Sequence, residues 1–512
     1  MRNLQCTITD MRKKVFAEVA KLAYEGGDYY TRLEKLPYEL MPGEVGTVRE
    51  SIFLERAIVG ERIRLAMGLP LRDVSEHTLL SDGVEESAIA EKYYDPPLIN
   101  VIKYACNACA PTHYEVTSAC QGCLARHCQY ACPKGAISTE RGQAVIDQDK
   151  CIKCGKCKEA CSYQAIIKFT RPCQEACGMH AIGQDEYGRA DIDYDKCVNC
   201  GMCLVNCPFG AIVDKGQLFQ LIHAIRKGDK VVAIIAPAFW GQFGDNVTPG
   251  QIREAMKMLG FASLEEVAIG ADLCAIEEAE EFLRDVPEKQ PFMATSCCPA
   301  WSVMAKKEFP GFAPYISMTM TPMVLTARLL KKKDPNCRIA FIGPCAAKKL
   351  EASRRSVRSD VDFVLTFEEL RGMFEAKGID FSQIEDSAAH YEASAPGVGF
   401  AMGMERVIEL MRECGRVPVR TQTDVYVIHS GGDTQVQAML LAEALRDAGV
   451  RVMVHPGKSG FKSQMKKADA SGARFAVFAA EDELAAGTVS VKALREGEKS
   501  YAEQTALPLA GA

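Results

Sequence analysis

The sequence predicts a multidomain α/β protein, and three observations carry that prediction. The chain has 512 residues, enough for roughly three to four domains of ordinary size. Apolar strand-like runs alternate with helical stretches through residues 229–390, the pattern of a mostly parallel sheet, and a shorter alternation of the same kind returns after residue 424. Between them and the N-terminal stretch, residues 106–207 hold sixteen of the 23 cysteines in closely spaced loops.

Composition narrows the function classes. Lys and Arg number 61 against 67 Asp and Glu, a mildly acidic balance that argues against a chain-wide nucleic-acid surface. No apolar run is long enough to span a membrane. Residues 1–14 mix charges into any apolar stretch and offer no small-residue cleavage site, so no secretory signal is expected and a cytoplasmic location is. In that compartment, dense cysteine points to metal rather than disulfides.

Taken in order, residues 1–100 read as helices, for example 11–26 and 48–67, with the proline-bearing segment 36–42 as a breaker between them. This helical N-terminal region carries no site pattern and is expected to be a scaffold or docking segment. Residues 101–215 carry three cysteine runs: Cys120-x2-Cys123-x4-Cys128-x3-Cys132, Cys151-x2-Cys154-x2-Cys157-x3-Cys161 and Cys197-x2-Cys200-x2-Cys203-x3-Cys207. A short apolar stretch follows each run (Gly135-Ala-Ile-Ser, Gln164-Ala-Ile-Ile, Gly210-Ala-Ile-Val) and predicts a short strand there. A cubane needs four thiolates, and C-x2-C-x2-C-x3-C is how bacterial ferredoxins supply them, so a ferredoxin-like 4Fe-4S module is expected.

In two-cluster ferredoxins the fourth cysteine of each run ligates the other cluster. On that rule Cys120, Cys123 and Cys128 take Cys161, and Cys151, Cys154 and Cys157 take Cys132. Cys197, Cys200 and Cys203 take Cys177 from the shortened piece Cys173-x3-Cys177. Three clusters follow. Cys106, Cys109, Cys173 and Cys207 remain and suffice for a fourth; the alternative, that Cys106 and Cys109 are merely buried thiols, stays open. His113 and His127 read as surface residues.

Residues 229–390 change character. Strands are expected at 230–237, 265–270 and 338–343, with helices at 249–259 and 276–284. Two strand ends carry cysteines: Thr295-Ser-Cys-Cys-Pro-Ala-Trp301 and Gly343-Pro-Cys-Ala-Ala-Lys-Lys-Leu-Glu351. Open α/β sheets place their sites at such strand ends.

Behind a ferredoxin-like module, these two motifs resemble those of the iron-only (FeFe) hydrogenases, over about residues 95–385 and in the branch with a cysteine-rich N-terminal half. The resemblance implies H2 oxidation or proton reduction, with electrons passing through the 4Fe-4S clusters to a ferredoxin-like or other redox partner protein. It implies Cys298 and Cys345 as thiolate ligands of the catalytic H-cluster and Cys297 as the proton donor beside its two-iron subsite. It implies Lys348 as the holder of a cyanide ligand, and Glu278, Ser317 and Glu281 as a proton relay. By residue type alone, Glu278 and Glu281 belong to an acidic helical stretch, 277–281, and read as a solvated face.

The match departs at two places. Gly343 stands where the family usually has methionine. The family's third signature, two cysteines in Cys-x3-Cys spacing near several glycines, completes the four H-cluster ligands; here the only cysteine after Cys345 is Cys414. Impaired H2 chemistry is therefore expected, with a non-catalytic electron-transfer or sensor protein as the alternative.

From about residue 391 the chain resembles the C-terminal part of a bacterial histidyl-tRNA synthetase. Gly397-Val-Gly-Phe-Ala-Met-Gly-Met-Glu-Arg406 is similar to the third class II motif, in which Arg406 would sit on ATP. Residues 424–491 are similar to the anticodon-binding domain: strands at 424–429, 450–455 and 474–479, helices at 436–449 and 462–469, then Glu481-Asp-Glu-Leu. The synthetase's first two motifs and histidine-binding elements are absent upstream, so aminoacylation is not expected. A tRNA contact through 424–491 is implied, although the basic stretch 462–469 by itself reads as a solvated face. Four domains result, 1–100, 101–215, 216–390 and 391–512, with a chimaeric junction near 386–396.

Overall fold

A computed structural model describes residues 6–89, 96–244, 246–286, 288–354, 357, 360–386, 423–430, 433–455, 460–495 and 505–508. The motif at 397–406 with Arg406, and Cys414, lie outside the described residues. The chain divides into two compact units, residues 1–399 and 400–512. Among the described residues no helix is long and apolar enough to cross a membrane.

The first unit opens with helices Thr7–Glu25, Tyr29–Leu40 and Ile52–Ala66. The first buries a stripe of Val15, Phe16, Val19, Ala20, Leu22 and Ala23, spaced as one helical face requires. The second does not break at residue 36: it runs through Pro37 to Leu40. Pro37 falls in the last turn, and its carbonyl still accepts the Met41 amide at 3.0 Å. The third begins at Ile52 rather than 48, because the Glu55 carboxylate accepts the amides of Val48 and Arg49 at 2.5 and 2.6 Å and holds them as a loop.

Eight short strands follow: β1 (Ile99–Val101), β2 (His113–Val116), β3 (Ile137–Glu140), β4 (Gln143–Ile146), β5 (Ile166–Phe169), β6 (Ile182–Gln184), β7 (Ala190–Ile192) and β8 (Ile212–Asp214). All pair antiparallel. β2 joins β5 and β3 joins β4, forming one ferredoxin-like unit. β1 joins β8 and β6 joins β7, forming a second. The first unit is therefore nested inside the second, as an insertion of residues 110–172 between Cys109 and Cys173. Cys106-x2-Cys109 and Cys173-x3-Cys177 are two pieces of one run split by that insertion.

A parallel sheet comes next, in the order β10-β9-β11-β12, built from β9 (Val231–Ile235), β10 (Ser263–Glu266), β11 (Arg338–Gly343) and β12 (Phe363–Thr366). β9 is buried at every residue, which explains its unbroken apolar run. The helix Pro249–Leu259 starts on a reciprocal cap between Thr248 and Gln251. The strand expected at 265–270 stops at Glu266, and a single helix covers Val267–Asp285. This helix packs closely on the helix Pro322–Lys333, where a Cβ at Gly270 would overlap Thr326 Oγ1. The N-terminal helices share one core with this sheet, where Phe16, Val19, Phe219, Ile234 and Leu370 meet.

A buried charge cluster fastens these parts together. Lys349 Nζ, fully buried, donates to Asp214 Oδ2 at 2.8 Å and to the Lys215 carbonyl at 2.8 Å, and pairs with Glu369 Oε2 at 3.0 Å. Arg12 adds contacts to Asp214 at 3.5 Å and Glu368 at 2.7 Å. The cluster joins the first helix, β8, the helix Ala347–Ser353 and the helix Phe367–Ala376.

The second unit is a five-stranded sheet in the order β14-β13-β15-β16-β17: β13 (Val425–His429), β14 (Val452–Val454), β15 (Phe475–Ala479), β16 (Thr488–Ala493) and β17 (Thr505–Pro508). The first three are parallel, and the last two add antiparallel. Val427 and Val477 pack on Ala438 and Ala442 of one helix, while Tyr426 and Phe478 pack on Ala468 of another, so both faces are covered.

Candidate functional site

The cysteine loops share one backbone device. The second residue after the first cysteine of each run is left-handed: Ala108 (φ 45°), Gly122 (57°), Lys153 (58°) and Asn199 (53°). The third residue after the last cysteine is left-handed too: Gly135 (58°), Gln164 (52°), His180 (49°) and Gly210 (58°). Holding non-glycine residues there costs conformational energy, which marks loops shaped for a purpose other than stability. The turns aim backbone amides at sulfur: Ala136, Ala165 and Ala181 N–H donate to Cys132, Cys161 and Cys177 Sγ at 3.3, 3.4 and 3.3 Å, and Ala190 N–H donates to Cys106 Sγ at 3.3 Å.

The loops bring eight of the thiols together in two hollows, four to each. Cys106, Cys109, Cys173 and Cys207 line one hollow of about 340 Å³, its open mouth included. Cys132, Cys151, Cys154 and Cys157 line another of about 310 Å³. Burial raises the Cys128 thiol, and Cys161, Cys123 and Cys120 crowd it further. Burial pushes Cys203 up to about 12, with Cys200, Cys197 and Cys177 adding to it. Cys173 goes to about 11 by burial, then by Cys207. Such thiols hold their protons until a metal displaces them. Among the described residues, no three His, Cys, Asp or Glu converge on a point as a single metal ion requires. Four thiols spaced around a hollow are the donor set of a multi-iron cluster instead.

The quartets have an order. Cys106, Cys173, Cys177, Cys197, Cys203 and Cys207 belong to one core, while Cys128, Cys132, Cys157 and Cys161 belong to that of the inserted unit. Buried Arg171 bridges the two, donating to the Cys109, Gly183 and Gly188 carbonyls. At the other end Cys177, Cys197 and Cys200 pack with Ala300, Ala347 and Cys345, and Cys345 is among the groups that raise the Cys200 thiol.

Cys298 immediately precedes the helix Pro299–Glu308 without a side-chain capping bond, and Cys345 lies in the turn between β11 and the helix Ala347–Ser353, accepting the Ala347 amide at 3.3 Å. Lys348 Nζ donates to the Cys297 carbonyl at 3.1 Å and pairs with Glu351 at 2.7 Å. Ser317 Oγ and Thr319 Oγ1 both donate to Glu281 Oε2, at 2.5 and 3.1 Å. Burial raises the Glu278 carboxyl and the neighbouring Glu281 raises it further. One residue here was missed from the sequence. Cys274 Sγ–H donates to the Met320 carbonyl at 3.0 Å and is pushed up to about 11 by burial, then by Glu277 and Glu278, with Cys297 and Lys348 also in range. Cys274, Glu278 and Glu281 recur at i, i+4 and i+7 on one helix, a spacing that could have revealed the row.

Among the described residues, the thiolate donors at this site are Cys298 and Cys345, two of the four that the resemblance implies for an H-cluster, and both Cys297 and Cys298 are exposed. Gly343 has a local cause: a Cβ at that position would collide with the Phe341 ring, so methionine has no room. In the second unit, Lys462, Lys466 and Lys467 are exposed on the helix Phe461–Ala470, while Gln464 and Ala468 face inward.

Comparison with known proteins finds two kinds of relative. Residues 229–475 match the family described as iron only hydrogenase large subunit, C-terminal domain, and residues 143–166 and 189–212 match a 4Fe-4S binding domain. The hydrogenase match thus runs past residue 390. Histidine–tRNA ligase of Cupriavidus pinatubonensis is 57% identical over 111 residues, 21% of this chain and 24% of that protein. The Nitrosomonas europaea ligase is 51% identical over 118 residues, 23% of this chain and 27% of that protein. The chain thus spans about a quarter of the length of these curated relatives. A solved FeFe-hydrogenase structure aligns at 29% identity over 33% of this chain and 48% of its own, with a TM-score of 0.29. The polypeptide accordingly joins an FeFe-hydrogenase-like iron–sulfur protein to a histidyl-tRNA-synthetase-like segment.

Proposed function

We propose that the chain is an electron relay of four cubanes leading to an incomplete hydrogenase-like site, and that it does not turn over H2 by itself. The reading is supported by two hollows lined by four thiols each and by the packing of Cys177, Cys197 and Cys200 beside Cys345. The ligand sets are Cys120, Cys123, Cys128 and Cys161; Cys151, Cys154, Cys157 and Cys132; Cys197, Cys200, Cys203 and Cys177; and Cys106, Cys109, Cys173 and Cys207. A cubane held at each quartet supplies reversible one-electron transfer. The chain's own residues set the conditions. Amides directed at sulfur favour the more negative, reduced state and so raise its potential, and the apolar cores around the thiols exclude water. Because the donor set at Cys298 and Cys345 stops at two, no H2-cleaving step is assigned to Cys297, Lys348, Glu278, Ser317 or Glu281.

The test is H2 evolution from reduced viologen after anaerobic reconstitution and treatment with the hydrogenase maturation factors. Cubane EPR signals without H2 are expected; H2 above a chain-free control overturns the reading.

A second function is favoured for the second unit by its 57% identity to a histidine–tRNA ligase. We infer that it contacts tRNA through the exposed Lys462, Lys466 and Lys467. Filter binding of histidine tRNA to the full chain should weaken steeply with salt, and absence of binding at low salt overturns the inference.

A further inference from the structure

We propose that the quartet of Cys106, Cys109, Cys173 and Cys207 is the electron store of the relay, the station that fills first, and that buried Arg62 and Arg171 make it so. The proposal rests on the relay reading above and adds where the first electron comes to rest.

The two arginines reach this quartet from distant parts of the chain. Arg62 belongs to the N-terminal helix Ile52–Ala66 and is 5% exposed; Arg171 closes the inserted unit and is 3% exposed. Arg62 Nη2 donates to the Gly210 carbonyl at 2.7 Å, in the turn where the Gly210 amide donates to the Cys207 carbonyl at 3.1 Å. Its Nε and Nη1 are buried and meet no partner among the described residues. Arg171 lines the hollow itself. It donates to neutral oxygens: the carbonyls of Cys109, Gly183 and Gly188 at 2.8, 3.1 and 2.9 Å, and the Gln184 side-chain amide at 3.4 Å. Half-buried Arg49 adds a third guanidinium, donating to the carbonyls of Ala105 and Phe209 at 3.1 and 3.0 Å, beside Cys106 and Cys207.

A buried guanidinium is costly unless an anion stands against it, and arginine does not escape the cost by losing its proton. The neighbours that answer these charges are the thiols. Cys207 favours the Arg62 charge against burial, Arg12 and Arg49, and Arg171 lowers the Cys173 thiol against burial. Four thiolates and the cluster they hold are therefore the counter-charge that Arg62 and Arg171 lack in the protein. Reduction adds one negative charge there, so fixed cations in a dry surrounding favour the reduced state and raise its potential. Amides aimed at sulfur do not single out this quartet, because each of the four has one, at Cys106, Cys132, Cys161 and Cys177. The guanidiniums do: the hollow of Cys132, Cys151, Cys154 and Cys157 is lined by Tyr114, Ile137 and Ile146 and by no Lys or Arg.

The store lies within the row. Arg171 joins it to the inserted unit, and Cys173 and Cys207 share a core with Cys177, Cys197 and Cys203. One electron passes to it from a neighbouring quartet, which is oxidised as the store is reduced. No bond forms or breaks, and no proton need follow, because the compensating charge is already in place.

The test is a potential titration of the reconstituted full chain followed by EPR. One cubane should be reduced ahead of the others, and Cys173→Ser should abolish that first step. In Arg62→Met, with iron content unchanged, the first step should fall by about 59 mV or more, a tenfold loss in the ratio of reduced to oxidised form, while the other steps stay in place. Arg62→Lys retains a positive charge and should keep most of the wild-type potential. A first step unmoved in Arg62→Met, or all steps lowered alike, overturns the proposal. So does a first step that survives Cys173→Ser, a result that decides the matter even where Arg62→Met fails to hold iron. A wild-type chain with no cubane signal after dithionite refutes the relay itself, a separate outcome.

Discussion

Replacing Lys349 by methionine tests how the hydrogenase-like body is fastened to the cluster module. The side chain is fully buried, and its ammonium contacts Asp214 at 2.8 Å, Glu369 at 3.0 Å and the Lys215 carbonyl at 2.8 Å. Methionine keeps most of the volume and removes the charge, leaving two buried carboxylates facing one another. Breaking a buried pair by deleting one partner costs about 3–5 kcal/mol. Arg12, 3.5 Å from Asp214, retains part of the attraction, and Glu369, whose carboxyl burial already raises, takes up a proton. The lower end, about 3 kcal/mol, is therefore expected. With a urea dependence of about 3 kcal/mol per molar, the midpoint falls by about 1 M, read by far-ultraviolet circular dichroism. Burial opposes it, but Lys349 and Arg12 hold the folded Asp214 carboxyl below the ordinary aspartate range. A depressed carboxyl stabilises the fold above its unfolded pKa, and that contribution is lost as pH falls through the folded one. The gap between wild type and variant should therefore be widest near neutrality and close on acidification. Glu369→Gln added to the variant should restore stability by about 1 kcal/mol or more. A midpoint shift under about 0.3 M, or a gap that widens in acid, refutes the reasoning.

Other expectations concern the site and its supports. Cys173→Ser should lower iron by about four atoms per chain and remove one cubane signal of four. Gly270→Val should destabilise the first unit by about 1–3 kcal/mol, measured as a loss of urea midpoint, because its side chain meets Thr326. Glu278 has its folded pKa raised, so its contribution to stability falls as pH rises through that value; Glu278→Gln should flatten this part of the pH–stability profile, and an unchanged profile contradicts the assignment. In the cluster-free chain, iodoacetamide should label exposed Cys297 well before buried Cys274, as peptide mass spectrometry would show.

The amino-acid sequence is most legible where the chemistry is local. Two of the cysteine sets proposed from the spacings, Cys106, Cys109, Cys173 and Cys207, and Cys132, Cys151, Cys154 and Cys157, line one hollow each, because loop length limits which sulfur atoms can meet. Strand β11 and the helix Pro249–Leu259 follow directly from an apolar run and a Thr-Pro start. Features that depend on residues far apart in the chain are harder to read. The nesting of one ferredoxin-like unit in another is set by the pairing of β1 with β8, three residues each, across more than a hundred positions. The stretch from Val267 reads as strand because its residues are apolar, whereas it opens a helix that packs, through Gly270, against the helix Pro322–Lys333. Cys274 lacks any local cysteine pattern; its meaning comes from Cys297 and Lys348 on other elements.

Iron, sulfide and infrared analysis of the anaerobically purified chain tests the central claim most directly. A relay of four cubanes predicts about 16 irons and 16 sulfides per chain, with no bands in the region of metal-bound carbon monoxide and cyanide. Iron near 8 per chain, or those infrared bands accompanied by H2 evolution, would contradict it.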